Sequence, residues 1–494
     1  MSQPLPALKS LSLALSTALL LGACQQATPA PEGAATASVT APAAAPAAAA
    51  PAGGGFPEMP STAQTDYRAG LYVVDGKVVK DRTEATAFGG GQVKDGGADN
   101  LAIATQGRND FNAVLVRGNG QYTLSHAKLD LHGDGSNDFL GLGAGAMVEG
   151  GATLVIRDSS IQTYGVIAST IAALSKGVLK VYDSTLHAHG GPLPPGYVPH
   201  IGPGMMEVPA PLKITGTARA ALTAGDSKSY FYNSTVIADG WGALSTDAPG
   251  ASYLEANDTI VKVNNSGYGT YADHDCTVVI NRGSFDVPSY AGVVAGPGSL
   301  TFNGLKSMSH GNTVMIHSVM GKPAEISKLA IKGGQYRSDS DAILVKSANA
   351  DIEIDGATLE AGNGVLVHAI VNDDRAATKV NGEQVSGVRV SLAHTQVEGN
   401  IVHEDGDRHM QLSLKDSRLK GAIHDAEVSL DSGSRWLATG NSRVLLAGSV
   451  QLAQIDAPTG VTIEAVAGQG STLTGTQRLA SGGTLKITQG QPTH

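Results

Sequence analysis

From about Ala113 onward, apolar and polar positions alternate in short bursts, each burst broken by a polar turn and closed by a small residue. The phrase reads Ala152-TLVIRDSSIQTY-Gly165, Gly177-VLKVYDSTLHAH-Gly190, Ser229-YFYNSTVIAD-Gly240 and Ser252-YLEANDTIVKVNNS-Gly267. It returns as Ser299-LTFNGLKSMSH-Gly311, Asp351-IEIDGATLEAGN-Gly364 and Leu412-SLKDSRLK-Gly421. A two-residue period predicts strands, with Leu154, Ile156, Ile161 and Thr163 facing one way and Val155, Arg157, Gln162 and Tyr164 the other. The turn residues Asp158, Asp183, Asn233, Asn257, Asn303, Asp355 and Asp416 recur at roughly 22 to 25 residues or near multiples, a spacing that marks a solenoid. At about 4.8 Å per rung, about fourteen coils make a rod some 65 Å long.

The period weakens from Thr65 to about Asp110, where Leu71-YVVDGKVV-Lys80 predicts a hairpin through Asp-Gly. The segment 63–112 is therefore expected to cap the first coil, because an open strand edge invites aggregation. Two stretches break the rhythm within 113–494. Segment 191–212 is rich in Pro and Gly and is expected to project as a loop; 372–388 is a second insertion.

Composition sharpens this picture. The 494 residues include 63 Gly but only 4% aromatics and 16% charged residues, which suits many tight turns and disfavours a helical protein. A net charge of −10 disfavours nucleic acid and polyanionic ligands. Residues 24–62 are dominated by Ala, Pro, Thr and Gly and read as a disordered tether, since they cannot bury a core. Ahead of them, Lys9 and the apolar run Leu11 to Leu21 have the form of a signal h-region, too short to span a bilayer.

Leu21-Gly22-Ala23-Cys24 resembles the lipobox of bacterial lipoproteins. The resemblance implies cleavage after residue 23, lipidation of Cys24, and a membrane-anchored exported protein. Gln25 after the cysteine fits outer-membrane sorting within that family, on the periplasmic or the surface face. Cys276, the only other cysteine, opens an apolar strand and reads as a small buried residue rather than a nucleophile.

The repeat resembles right-handed parallel β-helix proteins, over most of residues 110–490, without a diagnostic motif of the pectate-lyase-like enzymes. The hand follows the rule for parallel crossovers. Val428-SLDSGSRWLATGNSRVLLAGSVQLAQIDAP resembles the passenger coils of autotransporter adhesins; no barrel-like segment follows, so a lipid at Cys24 would serve as the anchor. The expected fold class is thus all-β, a right-handed parallel β-helix with an N-terminal cap and a disordered tether.

Aligning the strand after each closing Gly gives Gly240-WGALSTD, Gly267-YGTYADHD, Gly311-NTVMIHS, Ser340-DAILVKS, Gly364-VLVHAIV and Gly399-NIVHEDG. The fourth and sixth positions should point outward: Leu244 and Thr246, Tyr271 and Asp273, Met315 and His317, Leu344 and Lys346, His368 and Ile370, His403 and Asp405. In the intervening coil Val294 and Gly296 would leave a depression between Asp273 and His317, about 10 Å apart, where a sugar ring fits. Asp273 and Asp247 are the expected acid/base pair for glycosidic cleavage, with Tyr271 and His317 orienting the sugar. Trp241, Asp275, Lys346, His368, His403 and Asp405 are the expected substrate-binding residues, with Asp373 and Asp374 in the following loop. An outward row on a solvent-facing sheet would be polar without any function.

Other constellations are weaker. His187 and His189 share a face and could hold a metal with His200. Asp134, Ser136 and Asp138 alternate loosely like a calcium loop but lack its distal Glu. Gly89-GG-Gln92 lacks a phosphate-binding Lys, and no Ser/His/Asp set is apparent. No cofactor is expected. The expected partner is a polysaccharide, bound and cleaved on the outer face by a hydrolase or transferase. The alternative is a non-enzymatic surface adhesin or a structural envelope lipoprotein. Few Lys and Arg disfavour a lyase acting on polyuronate.

Overall fold

The computed structural model describes residues 61–489 apart from 201, 203, 210, 211, 320, 373–376 and 384. The expected leader, Cys24 and nearly all of the tether lie outside these residues, as do Asp373 and Asp374. The chain is all-β and winds as a three-sided parallel β-helix. Sheet A includes Phe111–Arg117, Ala146–Val148, Ile171–Ala173, Arg219–Ala224, Tyr290–Ala295, Asn312–His317, Ile343–Lys346 and Val365–Ile370. Sheet B runs from Gln121–Ser125 through Thr277–Asn281 to Met410–Lys415 and beyond. Sheet C includes Lys128–His132, Ser160–Tyr164 and Thr185–Gly190. Two long strands, Thr235–Asp247 and Ile260–Ala272, bend around the corner from C to A.

Alternation places the core as the sequence predicts. Leu154, Ile156, Ile161 and Thr163 are fully buried, and the same columns continue through Leu179 and Val181, Val278 and Ile280, and Ile352 and Ile354. Each such aliphatic side chain contributes about 1.5–3 kcal/mol by leaving water, and the column repeats it at every rung.

The B-to-C corner is one residue in the left-handed region, from His126 (φ 52°) through Asp158, Asp183 and Asn233 to Asp416 (φ 46°). Asp, Asn, His and Gly, which dominate this column, tolerate αL best. Its amide donates to the carbonyl of the next coil: Asp158 N to Tyr182 O at 3.1 Å, Asp183 N to Tyr232 O at 3.0 Å. In three coils the corner falls one residue later than the expected turn residue, on Asp258, Gly304 and Gly356. Asn257 and Asn303 instead end their strands and, with Asn281, form an amide ladder: Asn281 Nδ2 donates to Asn257 Oδ1 at 2.9 Å and Asn303 Nδ2 to Asn281 Oδ1 at 2.8 Å.

The first rung of sheet A lies earlier than 113. Arg68–Val74 pairs in parallel with Phe111–Arg117, and antiparallel with Lys77–Val78 through the Asp75-Gly76 turn. An antiparallel hairpin, Phe88–Lys94 with Gly97–Ala104, covers the neighbouring edge. At the opposite end Gly475–Arg478 turns back antiparallel on Thr484–Gln489.

Candidate functional site

The outer face of sheet A is covered rather than open. The Pro-rich insertion carries Met205, Val208 and Leu212, which with Ile214 just after it pack with Trp241, Tyr268, Tyr290, Val293 and Met315 in a second apolar cluster. Tyr290 Oη donates to Leu212 O at 3.2 Å. The insertion therefore lies back across the sheet instead of projecting, because its apolar side chains need burial. The second insertion reaches the same face, where Ala377 bridges Val319 and Ser318 Oγ donates to Thr378 Oγ1 at 2.9 Å.

Register defines the outward rows. One contains Ser245, Tyr271, Val293, Met315, Leu344 and His368. The next, two residues along each strand, contains Asp247, Asp273, Ala295, His317, Lys346 and Ile370. Tyr271, Asp273, Met315, His317, Leu344, Lys346 and His368 thus stand where the alignment puts them. Leu244 and Thr246 point inward, because Gly267 pairs with Trp241 rather than with Gly240 and the rows slip by one residue. Val293 and Ala295, rather than Val294 and Gly296, line the gap. His403 falls opposite Ala369 after a shift between Val365 and Val367, which takes it out of the outward row. Its Nδ1 lies 2.9 Å from Asp425 O.

The gap is also smaller than expected. A Cβ at Gly296 would fall 2.4 Å from His274 Nε2, so the bare backbone at that position seats an imidazole. Among the binding candidates, Asp275 is exposed and Trp241 is buried beneath the insertion. Lys346 is buried, and His368 Nδ1 lies 3.1 Å from Asp341 Oδ2. Asp405 is buried and held by Arg408 at 2.8 Å, which leaves it no role on the sheet face.

Under the covers lies a charged cluster that sequence reasoning only half found. Arg219 is buried, ion-pairs with both Asp138 and Asp247, and lies 4.8 Å from the Trp241 ring. Asp273 faces Asp247 on the neighbouring rung and accepts from Ala248 N at 2.9 Å, with His274 Nδ1 at 3.0 Å from its other oxygen. The signal for Arg219 was available: it is a lone cation in the apolar run Ala218-RAA-Leu222. Asp138, in the stretch that only loosely resembles a calcium loop, serves this cluster, while Asp134 Oδ1 accepts from Val166 N at 2.9 Å.

Asp138 and Asp247 share one guanidinium, and Asp273 stands beside Asp247 with His274 as its partner. Burial, reinforced by Asp273 and Asp138, pushes the Asp247 carboxyl up to about 7 against the pull of Arg219. Burial acts on Asp273 in the same sense, but the His274 imidazole and the amides of Ala248 and His274 prevail and hold it below the usual range. His274 is raised in return by Asp273. His317, 2% exposed, is pushed down to about 4, first by burial and then by Lys346 and His274. Neither of its ring nitrogens has a partner among the described residues. The Tyr271 ring lies 6.5 Å from it.

Of two other expected features, the burial of Cys276 stands and the histidine cluster is composed differently. Cys276 is buried, and burial lifts its thiol to about 12. His187 and His189 meet Asp239 rather than His200, whose Nδ1 lies 3.3 Å from Val198 O on the exposed part of the insertion. Comparison with protein-family models, with curated proteins and with solved structures finds no match to this chain.

Proposed function

We propose that this chain is an exported lipoprotein whose β-helix binds a polysaccharide and cleaves it at Asp247 and Asp273. What supports this reading is the geometry of two buried carboxylates on neighbouring rungs, Asp247 on the Arg219 guanidinium and pushed up by burial, Asp273 held down by the His274 imidazole and the Ala248 amide. Such a split suits one acid and one ionised partner at neutral pH. In this reading protonated Asp247 gives its proton to the glycosidic oxygen as the C–O bond breaks, and the Asp273 carboxylate attacks the anomeric carbon. Asp247 then takes a proton from water, which attacks the same carbon and releases Asp273. Neighbouring rungs lie about 4.8 Å apart, which suits the close carboxylate pair of a retaining enzyme better than the wider pair of an inverting one, and in this reading the product keeps its anomeric configuration. Tyr271, only partly buried, supplies a hydrogen bond to a sugar hydroxyl, and the buried His317 ring stands 6.5 Å behind it. The two carboxylates keep 10% and 13% side-chain exposure, which is where the glycosidic oxygen must approach.

The test is to incubate the full chain with a panel of neutral glycans, reading reducing ends and product anomer, beside Asp273→Asn and Asp247→Asn. Turnover unchanged in both variants would sink the site. The outer-membrane anchor is tested in the same strain, since palmitate labelling should vanish in Cys24→Ser.

A second reading, a non-enzymatic adhesin, is favoured by an open trough of about 680 Å³ on sheet B. It is lined by rows of small and polar side chains, Thr301, Ala330, Ser391 and Ser413 beside Lys328 and Arg389, over successive rungs. Glycan binding without release from any substrate selects this reading.

A further inference from the structure

Away from sheet A, the outward face of sheet C carries a second cluster of side chains. His132, Tyr164 and His189 occupy successive rungs with their rings stacked at 4.2 and 4.0 Å. His187, two residues before His189, turns to the same side, with ring centroids 3.6 Å apart. The next rung supplies Asp239, whose Oδ1 lies 2.7 Å from His187 Nε2 and whose Oδ2 lies 2.9 Å from His189 Nδ1. Donor atoms of the three residues lie within 4.8 Å of one another, the single such set of three or more among the described residues.

We propose that His187 Nε2, His189 Nδ1 and the Asp239 carboxylate bind one zinc ion, with the fourth coordination position open. Two imidazoles and a carboxylate are a donor set that zinc takes in sites that keep an exchangeable position. Tetrahedral bonds of about 2.0–2.1 Å separate donors by about 3.3 Å, so the Asp239 oxygens draw back by about half an ångström and the two imidazole nitrogens, within 4.8 Å, settle to the same spacing. The open position has room, because a cavity of about 330 Å³ lies against His189 and Asp239, walled by Gly190, Thr215 and Thr217.

Hydrogen-bond accounting supplies an independent argument. Gln162 Oε1 accepts from Tyr164 Oη at 3.1 Å and lies 3.3 Å from His189 Nε2. An amide oxygen only accepts, so Nε2 carries the hydrogen and a neutral His189 presents a lone pair at Nδ1. That lone pair faces a carboxylate oxygen. A divalent cation between Nδ1 and Asp239 satisfies both groups. Gln162 then fixes the ring as an outer-sphere acceptor, and Asn264 Nδ2, donating to Asp239 Oδ1 at 2.6 Å, steadies the carboxylate.

The experiment is calorimetric titration of the EDTA-treated full chain with ZnCl₂ at pH 7.5. One zinc per chain should bind, at least tenfold more weakly in His189→Ala and in Asp239→Asn, and about 10–100-fold more weakly in Gln162→Ala. Binding should fall more than tenfold at pH 5.5, where imidazoles are protonated, and should be unaffected by His200→Ala. Asp239→Asn preserves side-chain volume, so it decides the matter if a His variant fails to fold. Zinc should also raise the melting temperature of the parent chain but not of Asp239→Asn. The absence of one-to-one binding, or binding unchanged in Asp239→Asn or in the double variant His187→Ala/His189→Ala, would overturn the site.

Discussion

Two buried groups on sheet A should pull the stability of this protein in opposite directions with pH, and single substitutions should separate them. Asp247 titrates at about 7 in the folded chain against 3.8 ordinarily. The folded state therefore binds more protons than the unfolded one between those values, and stability falls as pH rises through the window. The shift is about three units, worth up to about 4 kcal/mol at 1.36 kcal/mol per unit. His317 runs the other way: its folded value of about 4 lies below the ordinary 6.5, so the unfolded chain binds the extra proton and stability rises between them. That shift is worth about 3 kcal/mol. Both side chains are at least nine-tenths buried, so solvent screening takes little from either figure. From about pH 4.5 to 6.5 the two slopes nearly cancel in the parent protein. Asp247→Asn removes the falling term and leaves stability rising by about 2–3 kcal/mol across those two pH units; His317→Asn leaves it falling by a similar amount. Urea unfolding at a series of pH values, read as the difference between each variant and the parent, cancels the surface groups common to all three. Parallel pH profiles for parent and variants would refute the assigned titrations, and with them the acid role given to Asp247.

Further predictions concern the scaffold. At the B-to-C corner Asp183 holds φ 49°, so Asp183→Ala should cost about 1–2 kcal/mol while Asp183→Gly should be close to neutral, measured by thermal unfolding. Cys276 should resist Ellman's reagent at pH 8 in the folded protein and react at once in guanidinium, because its buried thiol titrates near 12.

How far the sequence is legible depends on the range of the physics involved. Inward columns such as Leu154, Ile156, Ile161 and Thr163 follow from alternation alone, since facing the core or water is decided within a few residues. Corner positions are less secure. Where two tolerant residues adjoin, as in Asn257-Asp258 and Asn303-Gly304, either one can take the left-handed conformation, and the strand register decides between them.

Register across rungs is harder still. A single extra residue between Val263 and Ser266 sets Gly267 against Trp241 rather than Gly240, so that Leu244 faces inward and Ser245 and Asp247 outward, and no local signal marks it. The covered state of sheet A was legible in kind but not in consequence. An insertion bearing Met205, Val208 and Leu212, with Ile214 just after it, had to bury those side chains somewhere, and the rod offered them the apolar patch of Tyr268, Val293 and Met315. Once that row is covered, the polar positions beside it lose their water. The carboxylates there must then share a proton or recruit a cation, and Arg219, between Asp138 and Asp247, and His274, beside Asp273, are placed for that reason. The same insertion that closes the face therefore creates the perturbed pair on which the proposed chemistry rests. Weakening it, by replacing Leu212 and Ile214 with serine, should lower the Asp247 titration toward the ordinary range as water returns.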